Sequence, residues 1–274
     1  MRRRNQSSAF IFTGCIPLWH KLSVSLPKSI SAMYIDYISI DWNKVGQDSY
    51  LTRIPALGLL ERLQFRKPVT FFVGENGTGK STLLEAIAIA YGFNPEGGSI
   101  NYRFSTHDDY SELCRAMTVG KGLRKENRGF FLRAESFYNL STKTIEYERD
   151  CGPMFGDRTL HEQSHGESFL NFITAFTRPG LYLMDEPEAA LSPNRQLSLF
   201  SRIAEMARDG AQYIIVTHSP ILLALPDADI IQFDGDGIHY VDYEQTESYR
   251  VTELFINHRE KMVEELAKYK PAPH

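Results

Sequence analysis

One segment restricts the fold of this chain more than any other: residues 69–82, VTFFVGENGTGKST. Val69 to Val73 is a short apolar, β-branched and aromatic run that stops at Gly74, the pattern of a strand buried on both faces and feeding a turn. From Lys80 the residues STLLEAIAIAYGF follow with helical character, until Gly92 and Pro95 end it. Between strand and helix, Gly74, Gly79, Lys80 and Ser81 stand at the fixed places of G-x-x-x-x-G-K-[ST]. Such strand–loop–helix units, repeated, build a mainly parallel sheet with helices on both faces, so the chain is read as α/β.

The same spacing carries a chemistry. Phosphate oxygens are held by several main-chain N–H groups converging from one loop, and bulky side chains would block that approach. Gly74, Glu75, Asn76, Gly77, Thr78 and Gly79 supply the loop, while Lys80, Ser81 and Thr82 open a helix whose N-terminus adds positive potential. In this arrangement Lys80 reaches the β- and γ-phosphates of a nucleotide and Ser81 ligates Mg²⁺. The bland alternative is a Gly-rich turn without ligand; the flanking strand and helix favour the phosphate loop.

Two later apolar runs also end in polar residues. In LYLMDEP, Leu181 to Met184 reads as a buried strand with Asp185 and Glu186 at its mouth. Ligands of parallel α/β sheets bind beyond the carboxyl ends of strands, so Asp185 can hold the hydration shell of Mg²⁺ and Glu186 can act as base on an attacking water, or orient it. The alternative is a pair of solvated acids capping a helix that starts at Pro187. YIIVTHSP places His218 just past a strand at Tyr213 to Thr217. There an imidazole can hydrogen-bond a γ-phosphate, whereas a lone histidine is otherwise a structural or exposed residue.

Three patterns are less specific. In SHGE, Ser164 and Gly166 precede the apolar SFLNFITAF like a helix start, with Glu167 placed to complete a capping box. That is either a plain N-cap or a helix end aimed at the γ-phosphate of a neighbouring subunit's ATP. GFFLRAESFYN is a strand that either delivers Glu135 toward Mg²⁺ or water, or is a mixed-charge edge. Tyr50 and Arg53 either stack on adenine or pack locally near Pro55.

Organisation and composition bound the rest. With 274 residues, 42% hydrophobic and 23% charged, the chain suits one main domain with at most a small appendage. A formal net charge of −4 does not indicate a uniformly basic nucleic-acid binder. Cys15, Cys114 and Cys151 are widely spaced, which fits a reducing cytosol and neither a disulfide framework nor a structural zinc site. No apolar run reaches the ~20 residues that cross a bilayer. Residues 1–32 read as an extension outside the fold, with Met33 as its natural start; a targeting segment or a structural arm are the alternatives. YIDYISIDW alternates like a half-buried strand, IIQFDGDGIHYVDY reads as a hairpin with Asp-Gly turn chemistry, and Pro193 to Arg208 as an amphipathic helix. The stretch from Gly97 to Leu160 is polar and Gly-punctuated, and residues 246–274 read as a charged C-terminal helix. There are no sustained heptads, so no long coiled-coil arm is expected.

In this order the motifs resemble those of ABC-type P-loop ATPases, the branch with transporter nucleotide-binding subunits and the repair and chromosome-organisation ATPases. The resemblance runs from about Met33 to Tyr243. It puts the phosphate loop on Gly74 to Ser81, the signature on Gln163 to Glu167, the Walker B pair on Asp185 and Glu186, the D-loop on Ala190 to Ser192 and the switch histidine on His218. GENGTGKSTLLEAIA, GFFLRAESFYN, LHEQSHGESFL and LYLMDEPEAALSP are most similar to small stand-alone ATPases carrying the AAA domain of abortive-infection toxins. The departure is the signature, with Gln163 in place of Leu and His165 in place of the first Gly. The resemblance implies an ATPase domain over residues 33–245, of ABC type, with an antiparallel β portion and a helical signature-bearing subregion at 97–180. It further implies two ATP molecules and Mg²⁺ sandwiched in a head-to-tail homodimer. Three uses of that site follow: ATP hydrolysis coupled to an unidentified partner, in defence or on DNA; an ATP-gated switch recruiting a protein effector; or the ATPase subunit of a membrane transporter.

Overall fold

The computed structural model describes residues 33–100, 112–124, 128–133 and 178–268. Its strands are β1 (Ile35–Ile40), β2 (Arg62–Gln64), β3 (Val69–Gly74), β4 (Gly98–Ser99), β5 (Met117–Lys121), β6 (Gly129–Arg133), β7 (Leu181–Asp185), β8 (Gln212–Val216), β9 (Asp229–Asp234) and β10 (Gly237–Val241). The helices are α1 (Pro55–Gly58), α2 (Lys80–Tyr91), α3 (Glu112–Ala116), α4 (Pro193–Arg208), α5 (Pro220–Leu223), α6 (Glu247–Asn257) and α7 (Arg259–Lys268).

Seven strands form one sheet in the order β10-β9-β3-β8-β7-β6-β4. The five central ones, from β9 to β6, pair in parallel, and the flanking β10 and β4 pair antiparallel. A second sheet, β2-β1-β5, is antiparallel throughout. The α/β expectation with an added antiparallel portion is therefore what the chain adopts.

The pleat explains the layering. Successive side chains of a strand point to opposite faces, and the central strands are apolar on both. Phe72, Leu183, Ile214, Val216, Ile231 and Phe233 face a core shared with Leu83 and Ile87 of α2 and with Ile35, Ile38 and Leu63 of the small sheet. Phe71, Val73, Met184, Tyr213 and Ile215 face a second core closed by Leu199, Ile203 and Ala207 of α4. Helix α4 has one apolar stripe and a polar outer face, as its sequence period requires.

One polar residue locks the two sheets together. Gln212 opens β8 and is 1% exposed, yet its amide is fully engaged: Oε1 accepts the main-chain N–H groups of Tyr34 and Ile35, both at 2.9 Å, and Nε2 donates to the Ile35 carbonyl at 2.9 Å. A buried amide is stable only when partnered in this way.

Two local expectations are modified. The hairpin turn is Gly235-Asp236, but the positive φ (121°) falls on Gly237 after the turn, and Asp234 Oδ1 accepts the Asp236 N–H at 2.9 Å. The single C-terminal helix is divided: α6 ends where His258 leaves helical geometry (φ −131°, ψ 32°), and α7 begins at Arg259.

Candidate functional site

The phosphate loop, the acidic pair and the histidine all lie at one edge of the sheet, because β3, β8 and β7 are adjacent and parallel and each carries its motif just past its carboxyl end. Three glycines make the loop possible. Gly74 has φ 137°, and a Cβ there would lie 2.2 Å from the Phe233 carbonyl oxygen of β9. Gly77 and Gly79 also have positive φ, 83° and 91°, which L side chains adopt only with strain. At Gly79 a Cβ would meet Leu57 Cδ1 at 2.7 Å and Ile54 Cγ2 at 3.0 Å, so the segment around α1 is packed directly on the loop.

Gly79 is the N-cap of α2, and the first N–H groups of any helix have no intrahelical partner. Lys80 follows, 4% exposed, with Nζ donating to the carbonyl oxygens of Gly74 at 2.7 Å and Glu75 at 2.6 Å. Burial pulls the Lys80 pKa below its ordinary value, while the Glu186 and Asp185 carboxylates favour the charged form. Thr78 Oγ1 donates to the Glu75 carbonyl at 2.8 Å and tightens the turn.

Ser81 Oγ donates to Asp185 Oδ1 at 2.9 Å, which brings the loop and the end of β7 together across 104 residues of chain. Both atoms are hard oxygen donors of the kind Mg²⁺ takes. Among the described residues no group of three His, Cys, Asp or Glu side chains forms a metal cage. The oxygens therefore fit a cation held by few protein ligands and completed by phosphate and water, the usual Mg²⁺ arrangement.

Glu186 has a left-handed backbone (φ 48°, ψ 53°) and stands at the start of the 3-10 turn Pro187–Ala190, but its carboxylate makes no capping hydrogen bond. Glu186 thus occupies the N-cap position of that turn without a side-chain bond to it. Its Oε1 lies 3.9 Å from His218 Nε2, and its own N–H donates to the Val216 carbonyl at 2.9 Å. His218 N–H in turn donates to Glu188 Oε1 at 2.6 Å.

Further residues join the site that the motifs did not single out. Arg133, the last residue of β6 and the register partner of Asp185, pairs with Glu85 of α2 at 3.2 Å and donates to the Pro95 carbonyl at 3.1 Å. Its position at a strand end was the available signal. Glu188 and the Ser219–Gln196 bond, Oγ to Oε1 at 2.6 Å, had none, since each depends on the segment after β8 meeting residues 23 or 30 positions earlier in the chain. Tyr50 is 59% exposed in the 3-10 turn Tyr50–Arg53, beside the segment that packs on Gly79, and so is not a core aromatic. Glu135, Ser164, Gly166 and Glu167 lie outside the described residues, as do Gln163 and His165.

Comparison with known proteins fits this geometry. The family described as "AAA domain" matches residues 57–148, and that described as "AAA domain, putative AbiEii toxin, Type IV TA system" matches residues 155–224. The Ribose import ATP-binding protein RbsA of Burkholderia pseudomallei is 30% identical over 171 residues, 53% of this chain and 32% of the relative. The Hemin import ATP-binding protein HmuV of Rhodopseudomonas palustris is 28% identical over 169 residues, 53% of this chain and 63% of the relative. This chain carries a P-loop ATPase domain of the ABC type. The ABC-type chain spans about a third of the length of the ribose import relative, at 32%. Among solved structures, a nucleotide-free ATP-binding cassette from an ABC transporter aligns with TM-score 0.44 and 18% identity, covering 81% of this chain and 95% of that one. The SMC head domain from Thermotoga maritima aligns with TM-score 0.42 and 14% identity, covering 77% and 99%. No helix among the described residues is long and apolar enough to cross a membrane.

Proposed function

We propose that this ABC-type chain hydrolyses ATP with Mg²⁺ at the interface of a head-to-tail dimer and couples that cycle to a partner. The observation that carries the reading is the Ser81–Asp185 contact at 2.9 Å, with Lys80 next to Ser81 in sequence and Glu186, 3.9 Å from His218, next to Asp185. When bound, Mg²⁺ supplies neutralisation of phosphate charge. The loop and the α2 N-terminus bind the β- and γ-phosphates, and Lys80 exchanges its loop carbonyl partners for phosphate oxygens. Glu186 accepts a proton from, or orients, the attacking water, and His218 donates a hydrogen bond toward the γ-phosphate. The dimeric half rests on the resemblance of Ser164 to Glu167 to an ABC signature, whose helix would cap the partner's nucleotide.

A cytosolic setting follows from the need for ATP. The import proteins among the relatives favour a second reading, an ATPase subunit working with a membrane partner, while the toxin-type family match favours an effector-coupled defence role. Nucleic acid enters as a candidate partner only if it stimulates turnover. The test is ATPase turnover across a protein concentration series, with and without DNA, against Glu186→Gln. Turnover per subunit should rise with concentration, and Glu186→Gln should abolish it and trap an ATP-bound dimer on size exclusion. Flat turnover, or a variant that stays monomeric with ATP, refutes the dimeric cycle.

A further inference from the structure

Glu188 is a carboxylate with no place in the chemistry above. It sits on the 3-10 turn that follows β7, and its side chain crosses to the loop that follows β8, where Oε1 accepts the His218 N–H at 2.6 Å. Its other oxygen, Oε2, is shielded from solvent and has no hydrogen-bond partner. Burial raises the carboxyl pKa, and hydrogen bonds from His218, from its own main chain and from Thr217 draw it back.

The local backbone explains why a side chain is needed. The parallel ladder between β7 and β8 has its last pair at Asp185 and Val216. One residue later Glu186 turns left-handed and leads the chain away into the 3-10 turn, after its N–H has bonded the Val216 carbonyl at 2.9 Å. No main-chain carbonyl of that loop is given to His218, and the Glu188 carboxylate stands in for it. The neighbours of His218 are fixed by other elements: Thr217 N–H donates to the Phe72 carbonyl at 3.3 Å, and Ser219 Oγ bonds Gln196 at 2.6 Å. The Glu188 bond is therefore the tie that sets His218 relative to the loop bearing Glu186.

We infer that Glu188 is a positioning residue, whose side chain extends the β7–β8 ladder by one rung and fixes His218 against Glu186. The inference rests on the proposed roles of those two residues only for its effect on turnover. What matters in it is reach and acceptor character, not charge.

That distinction makes the test. Glu188→Gln keeps length and an acceptor without charge, Glu188→Asp keeps charge without reach, and Glu188→Met keeps length without an acceptor. Asp and Met should lower kcat by roughly 10- to 100-fold, the scale of a small misplacement of a catalytic group, with nucleotide affinity little changed. Gln should recover most of the loss. In a His218→Ala background, Glu188→Asp should have no further effect, since the two act as a unit. Amide exchange at His218 and its imidazole NMR signals, read in the same proteins without turnover, should change in Asp and Met and not in Gln.

A Gln variant as impaired as Asp, an additive double variant, or unchanged His218 exchange in Met would each overturn the inference. Should the wild-type chain fail to hydrolyse ATP, the proposed function falls, and the NMR measurements still decide whether Glu188 positions His218. Far-UV circular dichroism separates a variant that misfolds from one that is mispositioned, and either Glu188→Asp or Glu188→Met, if it folds, suffices for the exchange comparison with the native chain.

Discussion

Replacing Gln212 with Leu should loosen the seam between the two sheets. Leucine nearly matches the volume but cannot bond, so the Tyr34 and Ile35 N–H groups lose their acceptor and the Ile35 carbonyl loses a donor, in a place where Tyr34, Ile35 and Gln212 are at most 1% exposed. A buried polar group left unpaired costs about 1–3 kcal/mol. Two orphaned N–H groups thus predict a loss of roughly 2–6 kcal/mol, partly offset by the added apolar surface. At about 2–4 °C per kcal/mol for a chain of this class, Tm should fall by roughly 5–20 °C. Thermal and urea unfolding measure it, the latter with an unchanged slope if only stability is affected. Hydrogen exchange should speed up first at Tyr34 and Ile35. If Tm moves by less than about 2 °C and those amides stay protected, the assignment of Gln212 as the tie between the sheets is wrong.

Other expectations are more direct. Ser81→Ala should weaken the Mg²⁺ dependence of nucleotide binding by at least the about 10- to 100-fold lost with outer-shell metal partners, read by fluorescent nucleotide titration with Mg²⁺ and with chelator; equal curves for wild type and variant would count against Ser81 as a ligand. Gly74→Ala must displace main chain at Phe233 and hold φ at 137°, so stability should drop by roughly 1–3 kcal/mol, with nucleotide binding lost together with it. The Tyr182 phenol, buried and donating to the Arg178 carbonyl at 2.6 Å, has its pKa pushed up to about 12. A raised pKa favours the protonated form in the fold, so its contribution is complete below the ordinary value of 10.0 and is lost as pH rises through about 12. Tyr182→Phe should therefore flatten the fall of Tm between those values; an identical pH profile would contradict this.

The parts legible in the sequence were those whose cause is local. Val69 to Gly74 had to be a buried strand because Val69, Phe71, Phe72 and Val73 make a compact apolar, β-branched and aromatic run, and Gly79-Lys80-Ser81 had to open a helix. Strands β7 and β8 and the position of His218 followed from the same pattern. The small sheet was only partly legible: β1 alternates, but β2 has three residues and β5 reads MTVGK, so neither carries a period long enough to identify. Their strand character comes from pairing with β1 at long range. Gln212 and Glu188 were illegible for a related reason. A glutamine opening a strand, or a glutamate in a turn after proline, looks solvated until another segment supplies the N–H groups it accepts. The split of the C-terminal helix at His258 also lacked a signal, having neither Gly nor Pro to mark it.

The left-handed backbone at Glu186 has one more consequence. Glycine or asparagine would adopt φ 48°, ψ 53° with less strain than a glutamate, for which such a conformation costs about 1–3 kcal/mol. The residue proposed to activate water is therefore one whose removal should make the protein more robust. Glu186→Asn should melt at a higher temperature than the native chain while losing turnover, so that thermal resistance and catalytic competence oppose each other at a single position. A screen for heat-tolerant variants of this chain would tend to select inert ones, unless turnover were scored alongside.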